Sequence, residues 1–261
     1  MPEHGVLLLD LDGTTCRGDE AFLEYARLVD AGLTETGLDA GPARSQGQSV
    51  TAALEAFLDG TGRDGPLATA QDGYQVVTML AEHAGAPVET VRAAFRTVRA
   101  GLASGDIPAE APPGLDDLLG RLRSSGIRVV IVTNAPSDGL DAIIDRLGLG
   151  SVVDEVVGDA GKPTGLVELI DGELRRAGAV DEPWRLLSVG DIWEYDLRPA
   201  LARRCVAMYV DRFDRRRGPA HAREPALEGL YDPIRQWVSI TMSPPSDVES
   251  VHAVYPPLAR E

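Results

Sequence analysis

The sequence predicts an α/β protein, in which helices cover both faces of a parallel β-sheet and a small α-helical domain is inserted. The first observation is a set of mostly apolar runs without polar alternation, at 6–9, 129–132 and 186–189. Such runs are typical of strands that are buried on both faces. The second observation is that acidic or polar residues follow these runs directly, where ligands bind in open parallel sheets. The third is a long stretch of helical pattern between the first two runs.

The first predicted strand leads directly into Asp10-Leu11-Asp12-Gly13-Thr14. Two acids one residue apart can reach the same pocket only if the chain turns away at once, and Gly13 permits such a turn. The arrangement therefore predicts a functional site at the end of this strand. A solvated Asp-Gly loop is the alternative if this run is considered alone.

Residues 17–108 carry helical patterns separated by breaks rich in glycine and proline. The clearest pattern, from Val88 to Leu102, has apolar residues three to four positions apart, as an amphipathic helix requires. Looser patterns cover 21–33, 50–58 and 74–83. Since this stretch is far longer than a crossover between two strands needs, we expect an inserted helical domain, and a core made of residues 1–16 and 109–217.

Two later strand ends carry polar groups in the same way. The β-branched run before Thr133 and Asn134 is one, and the run before Asp191, with Asp196 further on, is the other. Considered alone, a Thr-Asn pair is common in ordinary loops, and Asp196 suits the N-cap of a helix. Their significance therefore depends on what else the chain contains.

Lys162 is the single lysine among 25 basic residues, and it stands between Gly161 and Pro163 after an apolar segment at 152–157. Arginine is a planar fork, whereas lysine is a point charge that can reach a phosphate and a carboxylate at once. A chain that uses arginine almost everywhere has kept a compact ammonium group here. This indicates a specific role for Lys162.

Together these segments resemble, in the same order, the four motifs of the haloacid dehalogenase (HAD) superfamily: 10–14, 133–134, 161–163 and 190–196. The resemblance implies a Rossmann-like core with an inserted helical cap of the C1 type, in the phosphatase branch of the superfamily. The chain departs from the third motif just after Pro163, where many relatives have Asp-Pro and this sequence has Thr164-Gly165. That departure concerns the local turn and leaves the lysine in place.

The resemblance implies that Asp10 is the nucleophile, that Asp12 is the general acid and base, and that Lys162 holds the nucleophile and the substrate phosphate. A carboxylate that attacks a phosphate dianion meets charge repulsion, which cations and backbone donors must neutralise. Asp10 would form an aspartyl-phosphate intermediate. Asp12 would protonate the leaving oxygen and then deprotonate the attacking water.

The binding residues that the resemblance implies fall into two sets. Those expected to bind the substrate phosphate are Gly13, Thr133, Asn134 and Lys162. Magnesium, the expected cofactor, prefers oxygen ligands and keeps several waters. The residues expected to hold it are Asp10, Asp12 and Asp191, with Asp196 as an outer or water-mediated ligand.

We therefore expect a Mg²⁺-dependent phosphatase that hydrolyses a small-molecule phosphate monoester. The alternatives are a phosphomutase of the β-phosphoglucomutase type, which returns the phosphoryl group to a sugar, and a non-catalytic binding protein with this fold. Asp12 argues against dehalogenation, because a halide leaving group needs no proton. Phosphonatases use a cap lysine, and this chain has no lysine besides Lys162.

The composition favours a soluble, cytoplasmic enzyme that acts as a monomer or homodimer on a small phosphorylated metabolite. The formal charge of −16 disfavours nucleic acid or an anionic membrane as a partner, and no apolar run is long enough to span a membrane. The arginine-rich run 212–217 is interrupted by Asp214 and preceded by Asp211, so we expect a solvated turn there.

Two parts of the sequence carry no clear signal. Residues 218–261 match no motif and form a C-terminal extension without an expected role. Substrate choice is expected to lie in the inserted domain and the segment that leads into it. Polar residues there are candidates for facing the active site, although surface exposure is the expected role of any one of them: Arg17, Arg44, Ser45, Gln46 and Gln48.

Overall fold

The structure, a computed structural model, describes residues 3–35, 49–243, 251 and 253–258. The chain divides into two compact units, one made of Met1–Arg17 and Glu110–Glu261 and the other of Gly18–Ala109. The expected role of the inserted unit as a cap stays a prediction. The candidate residues Arg44, Ser45, Gln46 and Gln48 lie outside the described residues.

A parallel β-sheet forms the centre of the first unit. Its strand order is β3-β2-β1-β4-β5-β6, and every neighbouring pair is parallel. The strands are β1 (Gly5–Leu9), β2 (Ile127–Val132), β3 (Glu155–Val157), β4 (Leu186–Gly190), β5 (Val206–Val210) and β6 (Ala222–Glu224). The predicted α/β, Rossmann-like fold is therefore confirmed.

The described helices divide between the two units. The inserted unit contains α1 (Glu20–Glu35), α2 (Val50–Asp59), α3 (Gly73–His83) and α4 (Val88–Ser104), which match the four helical patterns of the sequence. The first unit contains α5 (Leu115–Ser124), α6 (Leu140–Arg146), α7 (Thr164–Arg176), α8 (Arg198–Ala202) and α9 (Tyr231–Met242). None of the described helices combines the length and the apolar character that crossing a membrane requires.

The central strands lack polar alternation because both of their faces are covered. Every residue of β1, β2, β4 and β5 is buried. Burial of one leucine side chain contributes about 1.5–3 kcal/mol, so these strands supply much of the driving force that fixes the sheet. They thereby fix the position of the residues that follow them.

The inserted unit has a core of its own, centred on four aromatic rings. Tyr74 of α3 contacts Phe22 of α1 and Phe95 of α4, with ring centroids 4.7 Å and 5.5 Å apart. Tyr25 packs against Phe95 at 5.8 Å. Edge-on geometry of this kind is the preferred arrangement of aromatic pairs, and it joins three of the four helices.

The C-terminal extension is part of the first unit. It supplies β6, which pairs with β5, and α9, whose fully buried Trp237 donates a hydrogen bond from Nε1 to the Trp184 carbonyl at 2.9 Å. Glu228 of the extension forms an ion pair with Arg17, one of the candidate specificity residues. The guanidinium of Arg17 thus has a protein partner inside the first unit.

Candidate active site

Three carboxylates meet at the carboxyl edge of the sheet. Asp10 follows β1 and Asp191 follows the neighbouring strand β4, while Asp196 lies in a π-helical turn, Trp193–Leu197. One carboxylate oxygen from each of the three lies within 4.8 Å of the others, and all three residues are buried. Parallel neighbouring strands end side by side, so this fold brings Asp10 and Asp191 together although they are far apart in the sequence.

Lys162 binds two of the three carboxylates of this cluster. Its Nζ donates hydrogen bonds to Asp10 Oδ1 at 2.6 Å, to Asp196 Oδ1 at 2.6 Å and to the Val132 carbonyl at 2.9 Å. Burial alone would lower the pKa of Lys162, but the charges of Asp10 and Asp196 raise it above its usual value. The ammonium group therefore stays charged, with all three of its protons engaged.

The pKa of the Asp10 carboxyl group is raised, so its charged form is unfavourable in this buried position. Burial raises the pKa of Asp10 from 3.8 to about 7, because the lowering effect of Lys162 is smaller than that of desolvation, and the charge of Asp196 raises the pKa further. A cation next to this carboxylate would relieve the cost.

Asp196 is held through both of its carboxylate oxygens. Oδ1 accepts the bond from Lys162, and Oδ2 accepts a hydrogen bond from the Ile192 N–H at 3.0 Å. Ser188 of β4 donates from Oγ to the Asp196 carbonyl at 2.7 Å. A Cβ at Gly190 would lie 2.3 Å from Asp196, so the glycine leaves the space that Asp196 occupies. These contacts suit a group that orients the cluster, in keeping with the outer role expected of Asp196.

Gly13 leaves the space that the Asp191 carboxylate occupies. Its φ of +86° lies in the left-handed region, and a Cβ at this position would lie 2.2 Å from Asp191 Oδ2. Its N–H donates to the Cys16 carbonyl at 3.0 Å, which closes the turn after Asp12. Gly13 was expected to bind phosphate, and this role stays a prediction; in the structure its N–H is engaged within the turn.

We predict that Gly13→Ala weakens divalent-metal binding about tenfold or more, because the added methyl group displaces the Asp191 carboxylate. Gly148→Ala is the matched control, since Gly148 has a φ of +73° and a Cβ added there would meet nothing within 4 Å. Both variants should lose about 1 kcal/mol of stability from the left-handed backbone. Calorimetric titration with Mg²⁺ should show weaker binding in Gly13→Ala alone; equal affinities in the two variants would contradict this account of Gly13.

Asn134 has a role that the sequence did not reveal. Its amide donates from Nδ2 to the Lys162 carbonyl at 3.1 Å and accepts from the Lys162 N–H at 2.7 Å. This pair of bonds fixes the main chain that carries the lysine. No local sequence signal identifies the contact, because the partners are 28 positions apart. Thr133, its neighbour, is buried and accepts a hydrogen bond from the Ala135 N–H at Oγ1. Phosphate binding by Asn134 and Thr133 stays a prediction.

The carboxylate cluster found among the described residues does not include Asp12, whose expected part in holding the metal stays a prediction. The expected metal residues were Asp10, Asp12 and Asp191, whereas the cluster found among the described residues contains Asp196 in place of Asp12. Asp12 is only partly buried and forms a backbone bridge with Cys16, which places it in the turn rather than on the strand end. A carboxylate with access to solvent is suited to exchanging protons with a substrate and with water.

The chemistry of this donor set fits a hard divalent cation. All its donors are carboxylate oxygens, which Mg²⁺ prefers. When all three carboxylates are ionised, they and the one ammonium group leave two negative charges in a buried space, which a divalent cation would balance. Asp10 and Asp191 are the residues that would hold it, since both oxygens of Asp196 already accept hydrogen bonds.

Comparison with known proteins identifies relatives of this chain. The family model described as haloacid dehalogenase-like hydrolase matches residues 5–197. A search of curated proteins finds no match.

Several solved structures share the fold. CbbY from Rhodobacter sphaeroides, solved in complex with phosphate, has a TM-score of 0.57 and 18% identity, over 87% of this chain and 96% of that one. A HAD phosphatase from Thermococcus onnurineus has a TM-score of 0.55 and 19% identity, over 90% and 98%. The L-2-haloacid dehalogenase RSc1362 has a TM-score of 0.53 and 13% identity, over 90% and 100%. At these identities the likeness shows a shared fold, and both phosphatases and dehalogenases are among the matches.

Proposed function

The chain belongs to the haloacid dehalogenase-like hydrolases, and from its site we propose that it is a Mg²⁺-dependent phosphatase for a small-molecule phosphate monoester. The observation that carries this proposal is the excess of carboxylates over cations in the buried cluster of Asp10, Asp191 and Asp196. Such a cluster is suited to a divalent cation. Asp12 adds a proton donor close to the proposed nucleophile, which an ester oxygen needs as a leaving group and a halide does not.

In the proposed reaction, an oxygen of Asp10 attacks phosphorus and the bond between phosphorus and the ester oxygen breaks. Asp12 gives its proton to that oxygen, which leaves as the alcohol. Asp12 then accepts a proton from water as the water attacks the aspartyl-phosphate, which releases inorganic phosphate and restores Asp10.

Lys162 has the same role in both displacements. Its ammonium group holds Asp10 at 2.6 Å and supplies positive charge beside the oxygens on which negative charge develops. Mg²⁺, held by Asp10 and Asp191, would supply further neutralisation of the phosphate charge. The net charge of −16 supports a small phosphorylated metabolite, rather than nucleic acid, as the substrate, and we propose a cytoplasmic setting with the chain as a monomer or homodimer.

The test is phosphate release from a panel of small phosphate esters, by protein stripped of metal with a chelator and then supplied with Mg²⁺. We expect release only after Mg²⁺ is restored. A 2-haloacid included in the panel should yield no halide. Halide release would favour dehalogenation, and conversion of a sugar phosphate to its isomer without release of phosphate would favour a mutase; either result would contradict the phosphatase proposal.

We predict that the effect of Asp12→Asn depends on the leaving group. With an alkyl phosphate, whose alkoxide leaves poorly without a proton, kcat should fall about a hundredfold or more. With p-nitrophenyl phosphate, whose leaving group is a weak base, the fall in phosphoenzyme formation should be much smaller. Pre-steady-state release of nitrophenolate measures that step. Equal losses with the two esters would show that Asp12 is not the acid for the leaving group.

A further inference from the structure

A loop rich in arginine lies at the same edge of the sheet as the carboxylate cluster. It spans 212–217 and follows β5, which pairs in parallel with β4, just as β4 pairs with β1. In register, Gly190 of β4 is the partner of Tyr209 of β5. With neighbouring strands about 4.8 Å apart, the end of β5 lies roughly 10 Å from the end of β1. A substrate bound at Asp10 is therefore within reach of long side chains from this loop.

The loop is exposed to solvent, as the sequence predicts, and it is also held in place by a buried carboxylate. Asp211, which is 5% exposed, accepts hydrogen bonds from the N–H groups of Arg215 and Arg216 at 2.7 and 2.8 Å. It also accepts one from the Arg223 guanidinium at 2.9 Å. Arg223 in turn donates to the Gly218 carbonyl at 2.7 Å. The buried carboxylate thus organises the turn.

The loop is also anchored to the segment that carries the candidate metal residues. Trp193, which lies between Asp191 and Asp196, donates from Nε1 to the Pro219 carbonyl at 2.9 Å. A Cβ at Gly218 would lie 2.1 Å from the Trp193 ring, so the loop backbone approaches the indole closely. The position of the loop is therefore fixed relative to the cluster.

The charge of the loop is opposite to that of the whole chain. Residues 212–217 hold four arginines and one aspartate, an excess of three positive charges in a protein of net charge −16. Asp211 does not reduce this excess, since Arg223 already pairs with it. Arg212, Arg216 and Arg217 are exposed. Exposed positive charge held in a fixed turn is suited to binding an oxyanion.

Tyr209 connects the two charged regions. Burial raises the pKa of its hydroxyl, the carboxylates of Asp211 and Asp191 raise it further, and Arg223 and Arg217 lower it. The Arg223 guanidinium lies over the Tyr209 ring, 5.0 Å from its centroid. Tyr209 is also the register partner of Gly190, so it links the arginine that holds the loop to the strand that precedes Asp191.

We propose that the loop 212–217 is a second anion subsite, so that the preferred substrate is a phosphate monoester with a further oxyanion group, a carboxylate or a second phosphate. The inference rests on the proposed phosphatase function and names its substrate class. Arg217 is exposed and directly precedes Gly218, whose carbonyl accepts a hydrogen bond from Arg223 and whose backbone lies close to the Trp193 ring. It is the residue that the test changes.

The experiment compares substrates that differ only in the second anion. One pair is 3-phosphoglycerate and glycerol 3-phosphate, which isolates a carboxylate; the other is fructose 1,6-bisphosphate and fructose 6-phosphate, which isolates a second phosphate. We expect the wild type to have the higher kcat/KM for the doubly anionic member of at least one pair. In Arg217→Gln this preference should fall about tenfold, through KM, with kcat/KM for the singly anionic member within about twofold of the wild type. Raising the salt concentration should also reduce the preference.

Arg235→Gln is the matched control. It removes one exposed arginine that pairs with Asp232 on α9, a helix whose Trp237 contacts Trp184 just before the start of β4. Trp184 lies at the amino end of β4, whereas Asp191 follows its carboxyl end. Loss of the Arg235 charge should therefore leave the preference for the doubly anionic substrate unchanged. The same substrate pairs are titrated calorimetrically into Asp10→Asn with Mg²⁺, which gives a readout independent of turnover.

Equal kcat/KM within both pairs, or a preference that Arg217→Gln leaves intact, would overturn the second subsite while the phosphatase proposal stands. If no ester is hydrolysed but the calorimetric preference is present and is lost when Arg217→Gln is added, the phosphatase proposal fails and the anion subsite stands. Absence of both turnover and binding preference would overturn both.

Discussion

Asp10→Asn is expected to lower phosphate release about a thousandfold or more. The neutral amide is a far poorer nucleophile than a carboxylate and does not form the phosphoenzyme at a comparable rate. The measurement is kcat with the best ester of the panel at saturating Mg²⁺. Asp138→Asn, an exposed aspartate in the loop after β2, is the control and should retain full activity. Retention of activity by Asp10→Asn would show that another group is the nucleophile.

The same variant should not lose stability, which separates a catalytic defect from a folding defect. The pKa of Asp10 is raised in the folded state, from 3.8 to about 7, so the folded protein binds this proton more tightly than the unfolded chain does. The stabilising contribution of the protonated form is present at low pH and is lost as the pH rises through about 7. In metal-free protein at pH 8, the melting temperature of Asp10→Asn should therefore equal or exceed that of the wild type. A marked decrease would contradict the cost ascribed to this buried carboxylate.

Lys162→Met should reduce both activity and stability. Phosphate release should fall about a hundredfold or more, because the charge that holds Asp10, and that we propose to act on the substrate phosphate, is lost. Removal of one partner from a buried ion pair costs about 3–5 kcal/mol, and here it leaves the Asp10 and Asp196 carboxylates uncompensated in a buried space. Chemical denaturation of metal-free protein measures the loss, and Mg²⁺ should restore part of it because it neutralises the same carboxylates.

Arg203→Met is the control for this second prediction. Arg203 pairs with Asp171 at 2.6 Å, but the two side chains are 41% and 34% exposed, and pairs near the surface contribute about 0–1 kcal/mol. Equal losses of stability in the two variants would contradict a special role for the buried lysine. An active Lys162→Met protein would refute its part in the reaction.

The features that the sequence predicted correctly have local causes. The runs at 6–9 and 129–132 predicted buried strands because both faces of a central strand need apolar side chains. The period of Val88–Leu102 predicted α4, since one face of that helix packs on its neighbours. The meeting of Asp10 with Asp191 needed one further inference, that neighbouring parallel strands end at the same edge.

The features that the sequence did not predict depend on contacts between distant segments. The Asn134 amide binds the main chain at Lys162, a contact that no sequence pattern indicates, while its expected part at the phosphate stays a prediction. Asp12 was expected among the metal residues; the cluster found among the described residues has Asp196 in that place, and the metal role of Asp12 stays a prediction. The extension at 218–261 carries no motif, although β6 and α9 complete the first unit. Likewise, the run 212–217 gave no sign that Asp211 is its organising centre.

The two hydrogen bonds between Asn134 and residue 162 have a consequence for protein engineering. They bond the N–H and the carbonyl of position 162 and leave its side chain untouched. Every replacement of the lysine except proline keeps the N–H and the carbonyl that form these two bonds, so a library at position 162 varies the chemistry of the cluster while both bonds stay available. Replacements that keep a positive charge also keep the Asp10 and Asp196 carboxylates compensated.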